Sequence, residues 1–456
     1  MAEEKCNLPP GRCSWIAALI TLVVVGCAPM LGFYPKMNQD IQNGQYDAAL
    51  DLIEKNRSGY SERNAVLYYL DLGMVAHYGG YYEQSNQALA RAEALMQELY
   101  TRSISREVST YLINDNTTAY RGEDFESAMV NLFMALNYAG LQQWDDALVE
   151  ARKVDVKLNM FNAQYGANEK NAYAEDAFIR FLMGVLYEAD NEVNDAFISY
   201  EKAESIYRGG YSRLYGLAAP ELLLKKYLVT AAHLQFNDEI QSLLQIYPRL
   251  AMPALTQPST VSEVYLIHYN GLGAEKVPKF FLVPMPDKYI LKLAYPAFQN
   301  QPCRVAASKA ILQEVNGERS FELSTVTVED ISAIARTNLD NRIMRIKLKA
   351  IARVTAKYIA AKEAEKKVRK EHGDNWATFT RIFSQAAMIA TEQADTRHWR
   401  TLPAQIRMGR AKLPPGTYRG SVLLLDGGGG TLQIIPLNEF SVGPGEKRIL
   451  TVRSMQ

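Results

Sequence analysis

The sequence predicts an α+β chain. Its first half reads as an irregular all-α solenoid, and its second half as long helices with a small antiparallel β module. Three observations carry this reading. Between Pro35 and Pro248 the only proline is Pro220, while alanines and aromatics recur at helical spacing. Around Leu250–Thr260 that periodicity stops, at Pro253 and Pro258. Beyond it, runs of β-branched and aromatic residues alternate with glycine-rich turns, interrupted by one proline-free stretch from Glu329 to Glu371. The expected organisation is a leader at 1–26 and a short tether at 27–35. A helical domain at 36–250 and an α+β domain at 261–456 follow, with the β module at 407–456.

The leader reading rests on the apolar run Trp15–Val25, closed by Gly26 and Cys27. A short apolar stretch followed by a small residue marks an export signal and is too short to span a bilayer. Val24-Val25-Gly26-Cys27 resembles a bacterial lipobox. The resemblance implies cleavage before Cys27 and a diacylglycerol on its thiol; the alternatives are a plain leader or an uncleaved anchor. Ala28 stands where an inner-membrane retention signal has Asp, so the outer membrane is the expected location, with the protein lipid-anchored on its periplasmic face. Cys6 and Cys13 would leave with the leader. Cys303 is then the one free thiol, expected to be a buried bystander, and no intramolecular disulfide can form.

The helical half carries pairs that resemble tetratricopeptide repeats. The clearest has Met183-Gly184, Tyr187, Ala196, Tyr200 and Ala203. A second has Met134-Ala135, Tyr138, Trp144 and Ala147. A third has Leu72-Gly73, Tyr82, Leu89 and Ala92, with Ser85 at the position of the small alanine. A partial fourth has Tyr46, Ala49 and Ile53. Positions 49, 85, 147 and 196 are equivalent, and their unequal spacing requires insertions around Thr101–Asn116 and Met160–Glu175. The motif's phase puts Leu67, Leu70, Met74, His77 and Tyr78 on an inner surface. Met129, Leu132 and Leu136 follow in the next pair, and Phe178, Phe181, Val185 and Glu188 in the third. So apolar a groove calls for a cover. Two candidates arise: the protein's own second half, with the basic helix at 329–371 as the covering element, or a partner's helix. Leu70, Met74, Leu132, Leu136, Phe181 and Val185 are the candidate partner-groove residues.

In the second half, Glu263–Tyr269, the turn Asn270–Gly273 and Lys279–Pro284 read as a hairpin-like unit. Arg304–Ala310 and Ser320–Val326 read as further strands. Glu329 and Asp330 open the long helix, and Lys366, Lys367, Arg369 and Lys370 close it, matching the helix dipole. Apolar residues from Ile331 to Ile359 recur at three and four, the mark of one buried face. Internal packing is the expected use of that face, with membrane insertion as the alternative. Asn375–Glu392 reads as another helix. The tail from Arg407 reads as strands at Ser421–Leu425, Leu432–Ile435 and Arg448–Val452, a small sandwich-like module that the strands near Tyr265 and Phe281 would complete. Its glycine run Gly427–Gly430 lacks the Lys-Ser/Thr of a phosphate loop.

The net charge of zero hides an asymmetry. Ala28–Thr260 holds thirty acidic and nineteen basic residues, and Val261–Gln456 eighteen and twenty-nine. Halves of −11 and +11 favour docking on each other. Nucleic acid is not an expected partner, because no basic–aromatic binding motif is present. No nucleophile elbow, zinc-binding His pair or Cys-x-x-Cys occurs, so neither catalysis, a metal nor a cofactor is expected.

Four segments carry a wider resemblance: Glu263–Gly271, Ala333–Leu339, Ala394–Ala404 and Leu413–Gly416. Together they resemble a family of uncharacterised proteobacterial lipoproteins with tetratricopeptide-like first halves, often encoded near activators of penicillin-binding proteins. The resemblance implies a role close to peptidoglycan synthesis and establishes no activity. Within Ala394–Ala404, Asp395, Arg397 and Trp399 form a candidate polar and aromatic loop. Arg397 could hold a carboxylate and Trp399 could stack on a sugar. The competing reading is a structural knot at the junction of helix and strands. The expected function is therefore a non-enzymatic envelope scaffold that binds cell-envelope proteins through its helical repeats. The alternative is a peptidoglycan- or glycan-binding or glycan-cleaving protein using its second half.

Overall fold

The computed structural model describes residues 32–104, 115–163, 172–251 and 261–456. The leader, Cys27 and the boundary segment 252–260 lie outside the described residues, as do parts of both expected insertions.

The first half is a series of helix pairs. They are α1 (Tyr34–Gln42) with α2 (Tyr46–Lys55), α3 (Ala65–Tyr78) with α4 (Tyr82–Ile104), and α5 (Asp124–Gly140) with α6 (Trp144–Asn162). Then come α7 (Ala177–Ala189) with α8 (Val193–Ile206), and α9 (Glu221–His233) with α10 (Asn237–Ile246). Single-turn helices at Arg57–Tyr60 and Ser212–Tyr215 lie between pairs. The motif residues set the crossings. A Cβ on Gly73 would sit 2.6 Å from Leu89, and one on Gly184 2.2 Å from the Tyr200 ring, so only glycine allows these helices to approach. Ser85 fits where alanine was expected because its hydroxyl donates across the crossing to the Gly73 carbonyl, at 2.7 Å.

A second regularity marks the pairs. Each inner turn holds one residue at positive φ: Gly44 (72°), Gly80 (78°), Gln142 (61°), Asn191 (64°) and Gln235 (60°). Among the described residues five equivalent turns define five pairs, one more than the sequence motif reveals. The fifth, α9–α10, has no glycine at its crossing.

The second half contains two four-stranded sheets and a separate two-stranded one. Its strands are β1 (Ser262–Leu272), β2 (Glu275–Pro284), β3 (Ile290–Gln299), β4 (Ala307–Glu314) and β5 (Ser320–Ser324). They continue with β6 (Val326–Asp330), β7 (Pro403–Leu413), β8 (Gly416–Leu425), β9 (Thr431–Val442) and β10 (Lys447–Ser454). The inner sheet has the order β10-β1-β7-β6, and the outer sheet β5-β4-β8-β9. Val264, Leu266, Ala411, Leu413 and Val452 of the inner sheet meet Ala310, Leu312, Val422, Leu424 and Phe440 of the outer one in a dry sandwich core.

Two expectations are corrected here. β1 and β2 do not form a hairpin. β1 runs parallel to β10 (Tyr265 opposite Ile449) and antiparallel to β7 (Tyr265 opposite Arg410), while β2 pairs with β3. β1 is buried on both faces along nearly its whole length, which a two-stranded hairpin cannot provide. The β module also does not begin at 407. Its first strand starts at Pro403; β1, the run around Tyr265, completes it as expected and β4–β6 add to it, whereas β2, the run around Phe281, pairs with β3 in the separate sheet.

Helices α11 (Ile331–His372) and α12 (Asp374–Thr391) form an antiparallel pair, with β2–β3 lying along α11. The Asp330 carboxylate caps α11 by accepting from the Ala333 N–H at 2.8 Å. Ile331, Ile334, Ala335 and Leu339 are buried in the body. Beyond Arg342, which still pairs with Glu123 and Asp124, the helix continues for thirty residues, roughly 45 Å at 1.5 Å per residue. Along that length only Ala350, Arg353, Val354, Ala361 and Glu365 are buried. The expected single buried face is thus corrected: Ile351 and Ile359 lie exposed.

Candidate functional site

Leu70 and Met74 come from α3, Leu132 and Leu136 from α5, and Phe181 and Val185 from α7. All six are buried in one apolar core with Tyr265, Ile267 and Tyr269 of β1, Ile406 and Met408 of β7, and Trp399. The groove is filled by the protein's own second half. The covering element is the inner sheet together with the segment before β7. The expected basic helix contributes only its first turns, through Ile331, Ala333 and Ile334. A sheet presents a broad face to several helices at once, whereas a helix offers one narrow stripe.

Buried polar groups fix the register of this contact. The His77 ring lies between Asn137 Oδ1 (2.5 Å, from Nδ1) and the Tyr269 hydroxyl (2.7 Å, from Nε2). Burial lowers its pKa to about 4, so it is neutral; these partners assign Nδ1–H as donor and Nε2 as acceptor. Asp71 accepts from the hydroxyls of Tyr34 (2.5 Å), Tyr60 (2.8 Å) and Thr401 (2.9 Å). Ion pairs complete the seam. Glu123 binds Lys276 and Arg342, and burial is outweighed there by the two cations, which hold its carboxyl well below the usual range. Glu263 accepts from Lys226 (2.6 Å), Arg410 (2.6 Å) and Lys447 (3.1 Å).

The Asp395–Trp399 segment belongs to this seam. Arg397 donates to Asp395 (2.7 and 2.9 Å) and to the Thr118 carbonyl (2.9 Å), and stacks 5.3 Å over Tyr120. Trp399 is 2% exposed, with its ring 6.0 Å from Phe133. Its indole N–H donates to Thr401 (2.9 Å), and its backbone N–H to Glu126 (2.7 Å). These groups are spent on structure, and no ring face or guanidinium edge is left for a sugar or carboxylate. Cys303, expected to be buried, is exposed.

An apolar surface that remains open lies on the arm made by β2–β3, α11 and α12. Ala377 is the one buried residue of α12's eighteen. Trp376 (62% exposed), Phe379 and Phe383 form a stripe, their ring centroids 6.2 and 6.5 Å apart. Nearer the body, Met344 (65%), Leu348 (61%) and Ile351 stand out at helical spacing on α11. On β2, Phe280 (60%), Phe281, Leu282 and Val283 are exposed in succession, hence on both faces of the strand. The arm is braced internally despite its exposure. Arg353 is bidentate to Glu392, Tyr289 donates to Glu365 (2.9 Å), and Tyr358 donates to Asp287 (2.6 Å). Sequence periodicity marks these residues as apolar helix positions, but it carries no sign that nothing packs on them.

No protein-family model matches the chain, and no curated protein matches it in sequence. Among solved structures it is similar to MamA (14% identity, TM-score 0.29, covering 47% of this chain and 95% of that one). It is also similar to a Podospora anserina putative kinesin light chain with tetratricopeptide-like repeats (13% identity, TM-score 0.31, 47% and 91%). BtubC from P. vanneervenii gives 13% identity and a TM-score of 0.32, over 54% and 87%. Likeness at this level leaves the helix-pair description resting on the crossings and turns described above.

Proposed function

We propose that this chain is a non-enzymatic scaffold of the bacterial envelope, lipid-anchored through Cys27, that engages other envelope proteins through its arm. The observation that carries the reading is the stripe Met344–Leu348–Ile351. It is apolar, exposed and mounted on a helix braced by α12 and β2–β3, at the i, i+4, i+7 spacing that a partner's groove or helix receives. The helical groove cannot serve, because the chain's own inner sheet occupies it. The resemblance to lipoproteins encoded beside penicillin-binding-protein activators puts peptidoglycan synthesis among the processes such a scaffold would assist. The glycan-binding alternative loses its residues, since Asp395, Arg397 and Trp399 are engaged internally.

Site-specific photo-crosslinking in intact cells tests the contact. A crosslinker at Leu348 should give a discrete envelope-protein adduct, and one at buried Phe181 should give none. Absence of any adduct from Met344, Leu348 and Ile351 alike would overturn the reading. Metabolic labelling with a palmitate analogue tests the anchor separately: label should enter the wild type and not Cys27→Ala.

A further inference from the structure

We infer that the distal end of the arm docks on an anionic lipid bilayer surface. The inference builds on the envelope reading but concerns a different stretch of the arm from the protein-contact stripe.

Charge is the first ground. From Asn341 to Glu392 there are twelve lysines and arginines against five carboxylates. Lys366, Lys367, Arg369 and Lys370 crowd the last turns of α11, exposed, and Lys288 lies exposed in the turn between β2 and β3. Directly after this cluster, α12 presents the stripe Trp376, Phe379 and Phe383. Cations beside exposed Trp and Phe are the composition that enters the headgroup layer. The rings sit at the acyl boundary and the lysines reach lipid phosphates.

The same charge argues against a second copy of the chain as occupant. Pairing two arms would bring two strongly cationic surfaces together. A fluid phase also suits the shape of the patch. β2 is exposed on both faces, and α12 has almost no packing of its own. One folded partner covers one side of such an arm, whereas lipid wets every side. No helix among the described residues is long and apolar enough to cross a bilayer, so the docking inferred is interfacial.

Position is the second ground. Arg400 lies 5.3 Å over the Tyr34 ring, at the start of α1, and 3.3 Å from Glu275, at the start of β2. The first helix of the body and the root of the arm are therefore neighbours. Residues 27 to 33 reach at most roughly 25 Å when extended. An acyl group on Cys27 would hold the root of the arm close to the membrane.

Flotation with lipid vesicles tests the inference. The chain from residue 28 onward, made without acyl chains, is mixed with vesicles of phosphatidylcholine alone or of phosphatidylcholine with phosphatidylglycerol. It should float only with the anionic vesicles, and less as salt is raised. Lys366→Glu/Lys367→Glu/Lys370→Glu and Trp376→Ser/Phe379→Ser/Phe383→Ser should each reduce binding about tenfold or more. Both sets are exposed, so circular dichroism and melting should stay unchanged. Failure to float overturns the inference. If the chain then sediments as a dimer that the Ser variant dissociates, the occupant is a second copy. Flotation unaffected by either variant overturns it too, since another surface would be responsible. Leu348 crosslinking and Cys27 labelling do not depend on this outcome, so the two readings fail separately.

Discussion

At the scale of single residues, buried carboxylates are the least expected feature of the molecule. Asp176 caps α7, accepting from the Ile179 N–H (2.8 Å) and the Tyr173 hydroxyl (2.6 Å). Burial raises its pKa to about 6. Glu329 is fully enclosed near the tyrosines of positions 207, 211 and 215. Burial first, and Asp176 second, push its carboxyl well above the usual range. A carboxyl whose folded pKa is raised favours folding at low pH. Its contribution is complete below the unfolded value near 4 and is lost as pH rises through about 6. Glu123 and Glu263, held low by their cations, act in the opposite sense, and their stabilisation is lost only on further acidification. The diagnostic measurement is therefore a difference between two proteins. Asn at position 176 can still accept from Ile179 and donate to the tyrosine hydroxyl. Asp176→Asn should match or exceed wild-type stability near neutral pH, with the gain shrinking as pH falls below about 6. Thermal melts from acid to neutral pH would show this. A loss of more than about 1 kcal/mol near neutrality would mean that the charged carboxylate is required. At this scale the sequence was legible where sterics rule and opaque where environment does. Gly184 announces its own crossing, but nothing around Asp176 in sequence tells that Glu329 will face the same enclosed site.

At the scale of elements, the helix pairs were legible because each carries a local signature. The Gly or Ala at the crossing is one, and the residue at positive φ in the turn is another; Gly44, Gly80 and Asn191 are the types that tolerate it best. The fifth pair went unread because its turn residue is Gln235 and its crossing has no glycine, so neither signature shows in the sequence. β1 was misassigned for a complementary reason. Asn270-Gly271 looks like a hairpin turn, yet the partners of β1 lie about 140 and 180 residues onward, and no local signal can name them. The long helix was placed within two residues at each end, while its exposure was missed, since periodicity defines a face and not what covers it. Two predictions contrast the elements. Gly184→Ala puts a methyl 2.2 Å from the Tyr200 ring and should cost about 1–3 kcal/mol through forced repacking. Leu348→Ser, on the open part of α11, should change stability by less than about 0.5 kcal/mol. Denaturant titration of both variants decides. If Leu348→Ser is the more destabilising, the arm is packed and the partner surface assigned to it is wrong.

At the scale of the whole molecule, the two halves share one apolar core despite their opposite charges and the two-proline boundary between them. The charge asymmetry is expressed at the seam: Glu123 and Asp124 of the acidic half meet Lys276 and Arg342 of the basic half, and Glu188 meets Lys447. These pairs surround an apolar interior that continues from α3, α5 and α7 into β1 and β7. The order of importance follows from the physics. Charges steer and align the halves, but each is desolvated, so the net gain per pair is small. The apolar contact supplies the stability, at roughly 1.5–3 kcal/mol per large side chain. Salt should therefore weaken the association only modestly. A mutation in the shared core should destabilise both halves together. Phe181→Asp, a charge placed under the inner sheet without a partner, should lower the melting temperature by many degrees. Unfolding of the wild type should be a single transition. In a Trp144→Phe/Trp376→Phe variant of the chain from residue 28 onward, whose one remaining tryptophan is Trp399 at the seam, fluorescence should coincide with far-ultraviolet circular dichroism, which is dominated by the helices. The helical half expressed alone should aggregate, because Leu70, Met74, Leu132, Leu136, Phe181 and Val185 would then face water as one connected surface. Two separated transitions, with the helical half monomeric and stable by itself, would show that the seam is a docking contact between independent domains. The groove would then again be open to a partner, and the arm would lose its place as the scaffold's contact surface.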